Sequence, residues 1–419
     1  MKKVLLGCHS FPPYSDIGGR RWAKFAKYLA QKGVEVHVIA CENVSEGVSP
    51  WQNDVLSPQI KTYFLPVNYP KVFQFGVKNV FDKIEYRILK TYYQTIQNKR
   101  VFDVAFLWEK QFLSKAAEVI STNNIKNIVV TGAPFYLLYY AAKLKNKFPH
   151  LNYIADYRDP WLGAVNYGIQ DLSGKKLRHE QEIQKYVYQQ ANYITAPNDF
   201  LLHKIIDTIG RDVDRNKFTS IEHAYDIDDL KPYFTIQERA DKDKIKFVYG
   251  GTFYLGTEMV LEELSNLLSK LKYNHPYLYS KLSFEFFTPE IRFSELFKEH
   301  TEVVKFDKPI GNKIFTKVAS ADFSMLFLAD HNKDYCTTKF FEMMPFKKPY
   351  ILLGENGFVA EKIKKENLGY FFKSGSLEQE FIDFLINYER GGISNKDSNP
   401  NISNYSYDKL TDKLLGLLV

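Results

Sequence analysis

The sequence predicts an α/β protein of two successive domains, each a parallel sheet whose strands are joined by crossover helices. Three observations carry this. At 419 residues the chain exceeds the roughly 250–300 at which one hydrophobic core stops growing, so two domains are expected. With 45% hydrophobic and 25% charged residues it has the balance of a globular protein, with apolar side chains for sizeable cores. Short β-branched and aromatic runs alternate with longer segments of helical period, and the alternation runs through twice.

In order, strand-like runs of the first series fall at 3–8, 34–40, 103–108, 127–131, 151–155 and 193–196. Those of the second fall at 244–249, 282–287, 302–306, 322–328 and 349–353. Between them an acidic, polar stretch holds Asp226, Asp228 and Asp229 and continues through 238–244. It is short and not Gly/Ser-rich, which suits a hinge between packed halves better than a free tether. The domains are therefore expected at 1–225 and 226–404. Residues 391–404 are rich in Gly, Ser and Asn and read as a loop; apolar residues at helical spacing over 405–419 then read as a last helix docking back on the body. One segment looks inserted, 66–99, where Val77, Phe81, Ile84, Ile88, Tyr92 and Ile96 form a helical stripe with Lys78, Lys83, Arg87 and Lys90 among its polar positions. It reads either as a membrane-facing or acceptor-gripping helix or as an ordinary packed helix with a solvated face.

A net charge of +7 and a pI near 8.8 favour anionic ligands, lipids or nucleic acid without choosing among them. Lys and Arg are spread along the chain instead of forming a block, which argues against nucleic acid as the partner. No apolar run reaches the roughly 18–20 residues needed to cross a bilayer, and the first eight residues lack the features of a signal peptide. Three widely spaced cysteines, Cys8, Cys41 and Cys336, imply neither a disulfide framework nor a zinc site. A cytoplasmic protein is expected, and its charge and basic helix admit peripheral contact with the cytoplasmic face of an anionic membrane. No His/Cys/Asp/Glu cluster has metal-ligand spacing, so neither a metal nor a cofactor is expected. His9, His179, His203 and His223 stand singly, and the lack of a G-x-S-x-G run argues against an esterase.

Four motifs carry chemistry. The first strand is followed by His9, Ser10, Phe11, Pro12 and Pro13, and then by Gly18, Gly19, Arg20 and Arg21 opening a helix. Two glycines at a helix start let the backbone approach a ligand, and the free N–H groups suit a phosphate, although a plain strand-to-helix turn uses them equally. Next, Asp156, Tyr157, Arg158, Asp159, Pro160 and Trp161 follow a strand directly, and Thr131, Gly132, Ala133 and Pro134 close the strand before it. Carboxylates around an arginine at a strand's carboxyl end sit where open α/β sheets bind ligands; the alternative is a structural Asp–Arg pair that fixes the loop while Trp161 plugs a core. The second series opens with a strand running into Gly250, Gly251 and Thr252, where glycines permit either close passage of a nucleotide or a tight turn. Last, Thr338, Lys339 and Glu342 stand in a short helical run before Pro349. Thr338 can cap that helix, its N–H groups can take a phosphate, and Glu342, one turn on, can accept both ribose hydroxyls. A capped amphipathic helix with Glu342 in solvent is the other reading.

In these places the chain resembles the GT-B glycosyltransferases, two Rossmann-like domains facing across a cleft, and especially their retaining family 4. Pro12, Pro13, Gly18, Gly19 and Arg20 match the family's first loop, which lies under the donor diphosphate and the transferred sugar. The run from Asp156 to Trp161 is similar to an Asp-x-Arg-Asp-Pro-Trp signature in a branch that builds polysaccharides. It implies Asp156 near the reacting sugar, Arg158 on phosphate or carboxylate, and Asp159 orienting Arg158. Gly250, Gly251 and Thr252 look like the start of the family's second domain, where many members continue with an Arg and a Lys; residues 253–258 here hold no base, so Arg20, Arg158 or Lys339 would supply that charge. Thr338, Lys339 and Glu342 resemble the donor-binding helix, with Asp334 in place of the family's earlier Glu and Lys347 where Gly is usual. The resemblance implies a metal-independent, hexosyltransferase-type enzyme of bacterial surface polysaccharide (capsule or exopolysaccharide) synthesis. It would move a sugar, with retention, from a nucleotide diphosphate sugar donor to a glycan or lipid-linked glycan acceptor, with the loops near 18, 156, 250 and 339 converging on one cleft. Two alternatives stay open: a non-catalytic GT-B subunit or chaperone partner of an active glycosyltransferase, and a nucleotide-sugar epimerase.

Overall fold

The computed structural model describes all residues except 15–16, 43–47, 68–69, 71, 74–75, 97–102, 163–171, 235–242, 331–332, 336 and 392–401. Cys336 and parts of the 66–99 segment, of the polar stretch at 238–244 and of the loop at 391–404 thus lie outside the described residues. The chain divides into two units, Met1–Glu222 with Tyr407–Val419, and His223–Ser406.

In the first unit β1 (Lys3–Gly7), β2 (Glu35–Cys41), β3 (Ile60–Leu65), β4 (Asn127–Gly132), β5 (Asn152–Tyr157), β6 (Tyr193–Ala196) and β7 (Phe218–Ser220) form one sheet in the order β3-β2-β1-β4-β5-β6-β7. Every pairing is parallel. The strands β2, β4 and β5 are buried along their whole length, and the Val, Ile, Ala and Tyr residues they carry between buried polar ones mark them in the sequence. The strands at either end are half-exposed or only three residues long, so β3 and β7 carry too few buried positions to stand out in the sequence. Strand order reverses between β1 and β4, and the crevice outside the carboxyl ends of those strands is where open sheets of this kind take ligands.

Residues 103–108 depart from expectation. They form not a strand but a 3₁₀ turn, Val104–Trp108. The cause is Asp103: one carboxylate oxygen accepts from the Ala105 N–H at 2.8 Å and the other from the Phe135 N–H at 2.7 Å, which winds the chain and ties it to the start of the helix Tyr136–Lys147. Burial pushes the Asp103 carboxyl up to about 6 against the pull of these donors.

In the second unit β8 (Ile245–Gly250), β9 (Leu282–Phe287), β10 (Val304–Asp307), β11 (Phe323–Leu328), β12 (Tyr350–Gly354) and β13 (Gly369–Lys373) form a second parallel sheet in the order β10-β9-β8-β11-β12-β13. Order again reverses beside the unit's first strand, between β8 and β11. Register sets Phe247 beside Phe284 on one side and Phe323 on the other, with ring centroids at 4.6 and 5.0 Å, so a stacked aromatic ladder crosses three strands. The strand β13, with mostly half-buried residues, is a further one that the sequence does not announce.

The last helix, Tyr407–Leu415, belongs to the first unit although it follows the second in sequence. Lys32 reaches Asp408 and Asp412 at 2.8 and 2.7 Å, and Asn152 donates to the Leu417 carbonyl at 2.7 Å. Among the described residues no helix is long and apolar enough to cross a membrane.

Candidate functional site

In the first unit the candidate residues gather at the carboxyl ends of β1, β4 and β5. Gly18 and Gly19 are buried in a 3₁₀ turn, Ile17–Gly19, that leads into the helix Arg20–Gln31. A β-carbon on Gly19 would stand 3.2 Å from the backbone of Ser10 and Phe11, so a side chain there would press on the loop after β1. Arg20 is buried, its guanidinium 5.7 Å from the centre of the Tyr407 ring.

Asp156 lies near the end of β5 and is 1% exposed. Parallel register aligns it with Thr131 on β4 and Thr195 on β6. Both hydroxyls donate to it, at 2.9 and 2.8 Å, and the indole of Trp22 adds a third bond at 3.2 Å. Arg21 completes a buried ion pair at 3.3 Å and donates also to the carbonyls of Ile221 and Glu222, each at 2.8 Å. The carboxylate expected beside the reacting sugar is thus enclosed by four protein donors. Arg158 pairs with its neighbour Asp159 at 3.3 Å, and both remain partly exposed. Trp161 is buried, stacks on Phe135 and donates to Glu180 at 2.9 Å, while the Tyr136 hydroxyl donates to the other oxygen of Glu180 at 2.6 Å. The sequence pointed to Asp156 and Trp161 but passed over their partners Arg21 and Glu180. The only local signal was a second arginine after Gly18 and Gly19; the rest depends on register.

In the second unit the site builds around the switch between β8 and β11. Gly250 ends β8, and a β-carbon there would stand 2.5 and 2.7 Å from Ile314 side-chain carbons. Gly251 donates its N–H to the Phe287 carbonyl at 3.1 Å, and the Thr252 carbonyl accepts from the Tyr249 hydroxyl at 2.9 Å. Thr338 is the first residue of the short helix Thr338–Met343; the preceding Thr337 occupies the cap position and makes no side-chain cap bond, which corrects the expected capping by Thr338. Lys339 pairs with Glu342 at 3.2 Å and lies 5.5 Å from the centre of the Phe315 ring. Since Ile314 packs on Gly250 and the adjacent Phe315 underlies Lys339, these two residues join the glycine turn to the Lys339–Glu342 pair. Glu342 is nearly buried, not a solvent-facing carboxylate. Asp334 is half-buried in the connection after β11, where its charge supplements the Asp330 hydrogen bond that raises Lys333 above the usual lysine range. Arg292 pairs with Glu258 at 3.2 Å, so a base stands beside the turn whose own residues carry none. Lys347 adopts φ = 53°, the left-handed conformation that glycine takes without strain.

No protein-family model matches the chain, and no curated protein matches it. Solved structures do. A glycosyltransferase from Rickettsia africae superposes with a TM-score of 0.65 at 14% identity, over 99% of this chain and 97% of that one. The lipopolysaccharide outer core galactosyltransferase WaaB superposes at 0.61 and 11%, over 100% and 99%. A UDP-GlcNAc 2-epimerase from Neisseria meningitidis does so at 0.55 and 13%, over 99% of each chain. At such identities the likeness is one of fold: two Rossmann-like units in the GT-B class.

Proposed function

We propose that this chain is a glycosyltransferase whose second unit binds a nucleotide diphosphate sugar. The observation that supports this most is the gathering of Gly250, Lys339 and Glu342 about Ile314 and Phe315 at the carboxyl edge of β8 and β11. Glu342 accepts from the ribose hydroxyls, and Lys339 turns its charge to the diphosphate when those hydroxyls take its place. The turn through Gly250, Gly251 and Thr252 lets the nucleotide pass close to the main chain. The first unit serves the acceptor side through Arg158 and Asp159, with Asp156 as the residue that positions their loop.

In the step itself an acceptor hydroxyl oxygen bonds to the anomeric carbon as the bond to the diphosphate breaks. The hydroxyl proton passes to the departing phosphate, and attack from the face the diphosphate leaves retains configuration. Lys339, not a divalent cation, stabilises the leaving charge. The run from Asp156 to Trp161 supports a glycan or lipid-linked acceptor in surface polysaccharide synthesis.

A thermal-shift screen across UDP, GDP, ADP, CMP and dTDP tests the binding half, because a ligand at 100 times its Kd stabilises the folded state by about 2.7 kcal/mol. One nucleoside diphosphate should raise the melting temperature, Glu342→Gln should weaken that response, and chelation by EDTA should leave turnover unchanged. A chain that binds none of the five would instead be a non-catalytic partner. Isomerised donor formed without acceptor would favour the epimerase reading, for which a structural neighbour exists.

A further inference from the structure

One face of the helix Val80–Ile96 is partly covered by the segment before it. Phe73 packs on Tyr86 and Tyr93, with ring centroids at 5.2 and 6.0 Å, and Tyr86, Leu89 and Tyr93 are half-buried. At 3.6 residues per turn the opposite face carries Val80, Phe81, Ile84, Ile88 and Tyr92. All five are exposed: Phe81 by 82%, Val80 by 71%, Ile88 by 63%. A contiguous apolar stripe left open to water on a folded unit marks an interaction surface.

Charge says which kind. Lys83, Arg87 and Lys90 line one edge of the stripe; all are exposed, and among the described residues none pairs with a carboxylate. Lys90 lies 5.8 Å from the centre of the Tyr86 ring. Of the acidic groups on the helix, Asp82 accepts from the Lys78 N–H at 2.8 Å near the helix start, on the packed side, and Glu85 stands at the far edge of the stripe. Two copies packed antiparallel through this face would set cationic edge against cationic edge. A surface of anionic headgroups over an apolar interior suits both parts at once, taking the stripe into the acyl boundary while Lys83, Arg87 and Lys90 extend to the phosphates.

We propose that this face of the helix Val80–Ile96 docks the protein on an anionic lipid bilayer, lying in the interface without crossing it. The inference deepens the lipid-linked acceptor side of the function proposed above, and it is tested without donor, so either can fail alone.

The test uses the full chain with sedimented vesicles of phosphatidylcholine, alone or mixed with phosphatidylglycerol. Wild-type protein should partition onto the mixed vesicles and be released by salt. Ile84→Glu/Ile88→Glu should lower partitioning roughly tenfold or more, since charged groups replace buried apolar surface. Lys83→Gln/Arg87→Gln/Lys90→Gln should lower it about fivefold for each charge removed. Both variants should keep the wild-type melting temperature and nucleotide response, because these side chains are exposed. Failure of wild-type protein to bind mixed vesicles would overturn the proposal, as would equal binding by the variants. A dimer seen in sedimentation velocity, lost in Ile84→Glu/Ile88→Glu and unaccompanied by vesicle binding, would overturn it in favour of self-association.

Discussion

Thr131, Thr195, Trp22 and Arg21 supply the four donors that enclose the Asp156 carboxylate, and the ion pair with Arg21 is out of water on both sides. Removing one partner of such a pair leaves the other charge buried and uncompensated, at a cost of about 3–5 kcal/mol. Asp156→Ala and Arg21→Met are each expected to lose that much in urea unfolding, and the double variant Arg21→Met/Asp156→Ala to lose less than their sum. Strict additivity would show that the two side chains do not act as a pair. Inactivity of Asp156→Ala therefore speaks to chemistry only if the variant is folded. A second carboxylate offers a pH readout. The hydrogen bond from Lys61, then that with His37 and the charge of Lys3, hold Glu35 down at about 2 against the effect of burial. A lowered folded value means the pairing stabilises above about 4.5 and is lost as pH falls toward about 2. The melting-temperature gap between wild type and Glu35→Gln should accordingly narrow through that window. A gap that stays constant from pH 7 to pH 3 would assign the effect elsewhere.

Among elements, the interlock of the turn after β8 with the helix Ile314–Ser320 is the one on which the proposed donor site depends. Gly250→Ala would put a β-carbon 2.5 Å from an Ile314 side-chain carbon, and overpacking of this kind costs about 1–3 kcal/mol. We expect Gly250→Ala to lower both stability and nucleotide binding, and Gly250→Ala/Ile314→Ala to recover more of the binding than of the stability. No loss of either in Gly250→Ala would remove the close approach from the argument. Legibility also varies by element. The buried strands β2, β4 and β5 are plain from their β-branched and aromatic residues, whereas β3, β7 and β13 are not, because half-buried or very short strands lack that signature. Residues 103–108 look like a strand in the sequence because a five-residue apolar run has no period of its own; the turn is decided by Asp103 bonding to Phe135, 32 residues on.

For the whole molecule, the return of Tyr407–Leu415 to the first unit means that this unit is assembled from both ends of the sequence. Tyr407, Leu410 and Leu414 are buried there, and the Tyr407 ring meets Phe25 edge-on at 5.3 Å. Leu414→Ala should cost about 2–5 kcal/mol, and deletion of 407–419 should unfold the first unit outright, since total stabilities are only about 5–15 kcal/mol. Near-ultraviolet circular dichroism and urea titration of the truncated chain would decide; a first unit that keeps its transition would show the helix to be dispensable. Alternation of strand and helix, and glycines at strand ends, were properties of the sequence by itself, because local period and backbone freedom act over a few residues. That Asp156 is enclosed, that Lys339 and Gly250 share the Ile314–Phe315 support, and that Phe81 faces water were decided only in the tertiary structure. Those facts depend on strand register and on packing between residues tens to hundreds of positions apart, and no local pattern in the chain encodes such pairings.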